Sequence, residues 1–506
     1  MTRLSFFLIL FFVTEGFSQL YFDKDFDSGS LDSAYFSNGY WNINYATTLH
    51  FRVRGCTSEN PTFRIWVRPE WWWHFRAAHR MVWRYNSSLS YNYMDTAWVE
   101  NGYYYFQNNN VFTADTIFIA YLFPLTYTEL VSYMNTIQSN QWVRDADARG
   151  YSVLGRNIYG FDVTNPNISD SLKSRVVLTS RQHPLETLGN HIVMGMSDYL
   201  ITSTDSVAVW LRDNCIFSFY PMINPDGVYL GLNTETFAGF NPNRFWFNGD
   251  TISSPSPCQE TNIVRQDIWE RTGNKVHYSF DMHTNSGSLI YYYCGLKTAP
   301  EPFSSLAYEL VREIRTSDSL INNGNILLPN EILCDTYHST NWYADFWHWN
   351  NKESVAFTLE TATVPPQPLE RIRNNGIAIA HGLYKVLKVI LTGSEIENLT
   401  EPTTFELSQN YPNPFNPSTK IRFVIPNGVR NLKDFSLQAP RNDNSLVTLK
   451  VYDVLGNQIA TLVNEEKPVG NYEVEFNGSG LPSGIYFYML DVQDKFFEVK
   501  KMILLK

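Results

Sequence analysis

At 506 residues the chain is longer than one hydrophobic core usually supports, so roughly three domains of ordinary size are expected. Hydrophobic residues make up 44% and aromatic residues 16%, which argues against long disordered stretches. The formal net charge is −11 and no Lys/Arg block offsets it, which argues against nucleic acid as a partner.

Residues 1–18 have the layout of a secretory signal peptide: Arg3 at the positive end, an apolar run from Leu4 to Val13, and Gly16-Phe17-Ser18 as a small-x-small cleavage site. The apolar run is too short to cross a bilayer, and Pro124 interrupts the later run from Ile117 to Leu125, so no transmembrane span is expected. The five cysteines (Cys56, Cys215, Cys258, Cys294 and Cys334) are too sparse for a disulfide scaffold, although export permits one or two bridges.

Residues 19–126 alternate apolar and polar residues in short bursts, as in Leu49 to Arg54, Phe63 to Arg68 and Thr116 to Tyr121. Alternation with period two, rich in aromatic and β-branched residues, predicts an antiparallel N-terminal β-sandwich. Trp71-Trp72-Trp73 is either a stacking platform for a sugar or peptide or, as aromatic residues more often are, part of a core or interface.

In residues 127–393 strands alternate with helical stretches. The apolar strand Val176 to Leu178 runs into Arg181-Gln182-His183-Pro184-Leu185-Glu186, followed by a helix over Thr187 to Ile201 with Leu188, Ile192, Val193, Met196 and Leu200 at helical spacing. A strand is expected from Ile216 to Pro221, another at Tyr278 to His283, and helices at Pro302 to Arg315 and Leu369 to Leu391. This pattern predicts an α/β domain with a mixed sheet, helices on both faces, and ligands at the carboxyl ends of strands.

A polar link, residues 394–404, leads to an all-β module over residues 405–506. The run Asn410-Tyr411-Pro412-Asn413-Pro414-Phe415-Asn416-Pro417 cannot be helical. Strands are expected at Ile421 to Ile425, Val447 to Val454, Tyr472 to Phe476 and Gly484 to Leu490, with a turn at Gly456-Asn457 and an inserted loop from Asn427 to Asn444.

The chemistry begins at His183-x-x-Glu186, which presents an imidazole and a carboxylate from one tight loop, as one side of a zinc site requires. A catalytic zinc needs a third protein ligand and an open position. His283, at the end of a second strand, fits that role, with His191 and His277 as competitors.

Five landmarks in order carry a resemblance: His183 and Glu186, Asn224-Pro225-Asp226-Gly227, Asn243-Arg244, His283, and Thr358-Leu359-Glu360. Together they resemble a zinc metallocarboxypeptidase of the carboxypeptidase A type. Phe26 to Leu31 and Ala120 to Leu130 resemble the β-sandwich that precedes the peptidase domain in the cytosolic-carboxypeptidase-like branch.

The resemblance implies one zinc ion held by His183, Glu186 and His283, Glu360 as general base, and Arg244 with Asn243 as the clamp on a substrate's terminal carboxylate. The substrates implied are peptide or protein C-termini. An ungapped count puts Thr234 where the family keeps an oxyanion-stabilising arginine, and Asn241 where an aspartate braces the first zinc histidine, with Arg181 as a candidate replacement cation. Tyr337 or Tyr343 is the candidate for the family's mobile phenol. The stretch Cys334 to Asn351 contains no arginine, which points to an uncharged or aromatic C-terminal residue rather than glutamate.

The C-terminal module resembles a type IX secretion sorting domain, matched by its Asn-Tyr-Pro-Asn-Pro-Phe-Asn-Pro opening, Leu449 to Asn457, and Leu481 to Phe487. This implies bacterial export through the type IX machinery, with release or attachment at the cell surface. Two alternatives accompany the peptidase reading: a catalytically weakened protein that binds peptide C-termini, and a zinc amidase or deacylase on the same scaffold.

Overall fold

The computed structural model describes residues 20–44, 48–67, 75, 78–86, 88, 90–246, 256–273, 275–285, 290–293, 303–321, 329–333, 354–392, 406–425, 445–467, 470–492 and 496–506. It divides into two compact units, Met1–Leu391 and Thr392–Lys506. Among the described residues no helix is long and apolar enough to cross a membrane.

The aromatic bursts at the start of the first unit form two five-stranded sheets. One holds, in spatial order, Tyr21–Asp23, His50–Arg54, Ile117–Ala120, Val82–Tyr85 and Asn92–Tyr93. The other holds Ser33–Ser37, Tyr40–Asn44, Phe63–Trp66, Tyr103–Gln107 and Thr96–Glu100. Rings from the two sheets meet, with Phe22 4.9 Å from Trp41 and 6.3 Å from Phe63. Period two puts alternate side chains inside, and Phe51, Val53, Phe63 and Ile65 are buried accordingly. One pairing departs from the antiparallel expectation: Tyr40–Asn44 runs parallel to Phe63–Trp66. Alternation reports which face is buried and carries no information about the direction of the neighbouring strand. The Trp71 to Trp73 triplet lies outside the described residues.

The second unit has a three-stranded sheet (Glu406–Leu407, Ser418–Ile425, Gly470–Asn477) and a four-stranded one (Gln458–Lys467, Ser445–Tyr452, Gly484–Val492, Phe496–Leu504). It has its own core, including Phe415, Ile421, Phe423, Leu449, Val451 and Tyr488. The proline-rich opening is tied down by buried Asn410, whose Nδ2 donates to Pro412 O at 3.1 Å and Thr419 Oγ1 at 3.0 Å. At the expected turn, Asp453 Oδ1 accepts from the backbone of Leu455 and Asn457 at 2.9 and 2.8 Å, and Gly456 takes φ 85°. The inserted loop from Asn427 to Asn444 lies outside the described residues.

The remainder of the first unit carries an eight-stranded mixed sheet in the order Val143–Tyr151, Asn157–Val163, Cys215–Tyr220, Ser174–Ser180, Tyr278–Asn285, Val355–Ala362, Ile290–Tyr293 and Pro329–Leu333. Four adjacent strands, from Cys215–Tyr220 to Val355–Ala362, are mutually parallel. They are buried along nearly their whole length, as parallel strands covered on both sides must be. Val176 and Leu178 join one core with Leu188, Leu211, Leu310 and Ile379. Val177, on the opposite face, joins another with Val264 and Ile268 of the helix Gln259–Thr272. Helices therefore cover both faces, as the alternation predicts.

The helices Thr187–Thr202, Phe303–Ile321 and Leu369–Thr392 occupy the stretches read as helical, the second of them running beyond the predicted end. Tyr127–Ile137, Ser206–Asn214 and Gln259–Thr272 were not anticipated; the last has only a weak apolar stripe. Cys56, Cys215 and Cys258 are buried and free, while Cys294 and Cys334 lie outside the described residues.

Gly189, in the first turn of Thr187–Thr202, allows that helix to lie against the strand that bears His283. A Cβ there would sit 2.6 Å from Met282 O and 2.9 Å from His283 O, both rigid backbone atoms. Alanine normally gains about 0.8–1.0 kcal/mol over glycine inside a helix, but overpacking costs about 1–3 kcal/mol. Gly189→Ala is therefore expected to lower the unfolding midpoint of the first unit, measured by denaturant titration; a raised midpoint would contradict the close approach.

Candidate metal centre

The strand Ser174–Ser180 ends at Arg181, whose φ of 57° turns the chain out of the sheet. A left-handed arginine is costly and needs anchoring. Its Nη1 donates to Leu125 O at 3.0 Å and Asn190 Oδ1 at 3.2 Å, and its Nε to Pro184 O at 3.1 Å. The loop is thereby set so that Glu186 becomes the N-cap of the next helix, yet its side chain makes no capping bond. The carboxylate is used elsewhere.

Glu186 Oε1 lies 2.7 Å from His183 Nδ1, and its Oε2 lies 2.6 Å from His283 Nδ1 and accepts from Thr284 N at 3.1 Å. His183, Glu186 and His283 each offer a ligand atom, all within 4.8 Å of one another. Both Nε2 atoms point away from this cluster and are engaged, His183 Nε2 with Asn241 Oδ1 at 3.0 Å and His283 Nε2 with Asp281 Oδ2 at 2.6 Å. Two imidazoles braced at Nε2, with Nδ1 turned toward one carboxylate, form a His₂Glu donor set, and that set fits zinc with a coordination position left open. Burial opposes ionisation of Glu186, but His183 and His283 outweigh it and hold the carboxyl well below its usual range. Burial likewise opposes charge on His283, and Asp281 and Glu186 raise its pKa well above the ordinary imidazole value.

Glu360 stands in register with His283 on the adjacent parallel strand, so the two side chains share one face of the sheet. Burial, with the charge of Glu186 adding to it, pushes the Glu360 carboxyl up to about 7. The competing histidines are committed elsewhere: buried His191 donates from Nε2 to Phe123 O at 3.1 Å, and His277 Nδ1 accepts from Arg175 N at 3.0 Å.

Asn224 and Asp226 are buried scaffold. Asn224 Oδ1 caps the short helix Pro225–Leu230 through Gly227 N at 3.0 Å, and Asp226 is ion-paired with Arg156 at 2.7 Å. In the 3₁₀ turn Pro242–Arg244, Asn241 Oδ1 accepts from Asn243 N at 3.1 Å and Arg244 Nη1 donates to Asn243 O at 3.3 Å. Asn243 Oδ1 is buried with no hydrogen-bond partner among the described residues. Half-buried Thr234 sits beside the metal loop, because Asn233 O accepts from Leu185 N at 3.1 Å and Glu235 O from Asn224 Nδ2 at 3.0 Å. The contacts of Arg181 hold it in the scaffold, which removes it as the replacement cation. Tyr337, Tyr343 and the stretch Cys334 to Asn351 lie outside the described residues.

Asp281 was not singled out from the sequence. Asp-x-His on one strand puts both side chains on the same face, and that spacing was the available signal.

Residues 130–375 match the zinc carboxypeptidase family, and residues 409–505 match the secretion system C-terminal sorting domain. Human cytosolic carboxypeptidase 6 is 31% identical over 170 residues, covering 33% of this chain and 33% of that protein. Human cytosolic carboxypeptidase 2 is 30% identical over 188 residues, covering 36% of this chain and 20% of that protein. The chain thus spans a third or less of the length of these two relatives. A metallo-carboxypeptidase from Burkholderia cenocepacia shares the fold, with a TM-score of 0.63 at 17% identity over 74% of this chain and 100% of that one. One from Pseudomonas aeruginosa, in complex with (2-guanidinoethylmercapto)succinic acid, gives 0.61 at 18% identity over 73% and 99%. The sorting domain indicates secretion or display at the cell surface through the type IX system. Residues 130–375 therefore form a zinc carboxypeptidase domain, followed over residues 409–505 by a secretion sorting domain.

Proposed function

We propose that this chain is an exported zinc carboxypeptidase that removes residues from peptide or protein C-termini. One observation carries the reading: ligand atoms of His183, Glu186 and His283 lie within 4.8 Å of one another, with Glu360 in register beside them. The three residues hold one zinc ion, which when bound supplies Lewis acidity at a peptide carbonyl and makes water more acidic. Glu360 takes a proton from the attacking water and delivers it to the leaving amine. Arg244 offers a planar two-donor fork to the terminal carboxylate, and Asn243 stands beside it. Tyr337 or Tyr343 takes the role of the family's mobile phenol, and the lack of arginine between Cys334 and Asn351 favours uncharged or aromatic terminal residues. Residues 1–18 act as the export signal, and the two N-terminal sheets are read as a β-sandwich of the kind the cytosolic-carboxypeptidase-like branch carries.

A second reading, a protein that holds C-termini and cuts them slowly, is favoured by one specific observation. Thr234 supplies no cation, and Arg181 is occupied by Leu125 O, Pro184 O and Asn190. Loss of one oxyanion donor typically costs about 100-fold to 1000-fold in rate.

Three measurements on the purified chain test these readings. Metal analysis is expected to give one zinc per chain, removable by chelator. Glu360→Gln is expected to lower kcat by about 100-fold or more on a mixed peptide library while zinc content is kept. Zinc binding without any Glu360-dependent release of amino acids would leave the binding-protein reading standing. Arg244→Ala is expected to lower kcat/KM about 10-fold to 100-fold on peptides with a free carboxylate, as loss of a charge-assisted pair does. An unchanged kcat/KM would point instead to an amidase or deacylase.

A further inference from the structure

We propose that Asp281 is a positioning residue that supplies the metal centre with its ionic brace, so that the two ligand histidines are held unequally. The proposal rests on the zinc-site reading and goes beyond it by assigning a residue outside the ligand set. Asp281 is fully buried, and three donors converge on its carboxylate. His283 Nε2 lies 2.6 Å from Oδ2, Gln182 Nε2 donates to the same oxygen, and Thr179 Oγ1 donates to Oδ1 at 2.8 Å. Gln182 is itself fixed, since its Oε1 accepts from the indole of fully buried Trp246 at 3.0 Å.

A carboxylate oxygen accepts, so His283 Nε2 donates its proton to Asp281, and Nδ1 is left as the ring nitrogen turned to Glu186 and the metal position. The carboxylate also adds negative charge behind the ring, which strengthens Nδ1 as a donor to a metal. His183 is braced differently. Asn241 Oδ1 receives both His183 Nε2 and Asn243 N, so the amide oxygen faces the ring and orients it without charge. The anionic brace therefore sits on the His283 side. The chain Trp246–Gln182–Asp281–His283 joins the segment after the Asn243-Arg244 pair, the metal loop and the third ligand strand.

The alternative is that Asp281 merely satisfies buried donors, and a charge swap separates the two. Asp281→Asn keeps the shape and still accepts from His283 and Gln182, while the Thr179 hydroxyl can accept from the new amide. Zinc affinity, measured by chelator competition on the full chain, is expected to fall about 10-fold to 100-fold. The unfolding midpoint of the chelator-treated protein should not fall in step. Asn241→Asp is expected to tighten zinc binding in the parent chain and to restore it in the Asp281→Asn background. A structural role predicts no such rescue. A dissociation constant within twofold of the parent for Asp281→Asn would overturn the proposal, as would no tightening in Asn241→Asp should the first variant fail to fold. A parent chain that binds no zinc would instead defeat the metal-site reading on which the proposal stands.

Discussion

One carboxylate shared by two imidazoles sets the requirements for the rest of the catalytic unit. Glu186 meets His183 from its own loop and His283 from a strand about a hundred residues later in the chain. That meeting depends on the parallel register that pairs Ser180 with Met282 and His283 with Glu360. Side chains alternate along a strand, so a slip of one residue would turn His283 or Glu360 to the other face and dismantle the site. Buried apolar side chains on both faces of these strands resist such a slip.

The N-terminal sheets take part in this arrangement. The segment after Ile117–Ala120 provides Phe123 O to His191 and Leu125 O to Arg181, on either side of the metal loop. Near the start of the chain, Ser28 N donates at 3.0 Å to Tyr229 O, in the short helix that Asn224 caps, and Thr48 Oγ1 donates at 3.2 Å to Gly231 O, just past that helix. The left-handed turn at Arg181 is thus stabilised partly by backbone from another part of the unit. A truncation starting near residue 127 would remove those anchors. The sorting module, by contrast, has its own buried core and its own tied-down opening.

Short-range spacing made much of this legible. His183-x-x-Glu186 is a local constraint, and the helix Thr187–Thr202 shows its apolar spacing plainly because one face packs on the sheet. Thr358-Leu359-Glu360 falls within the strand Val355–Ala362, which runs two residues past the glutamate. The helix Gln259–Thr272 was hidden, because few of its side chains are apolar and it packs through Val264 and Ile268, with Ile263 partly buried against them. The parallel pair in the N-terminal sheets was hidden too, since direction leaves no mark in an alternating pattern.

From the amino-acid order alone came the strand–helix alternation of the central region, the all-β character of the C-terminal module, and the residue types able to bind a metal. Those follow from composition, periodicity and spacing, which act over a few residues. Tertiary structure decided which nitrogen of each histidine faces the metal position, that Arg181 belongs to the scaffold, and that Asp281 stands behind His283 as Asn241 stands behind His183. These are relations between segments far apart in the chain, and they exist only once sheet register and a buried hydrogen-bond network hold those segments together.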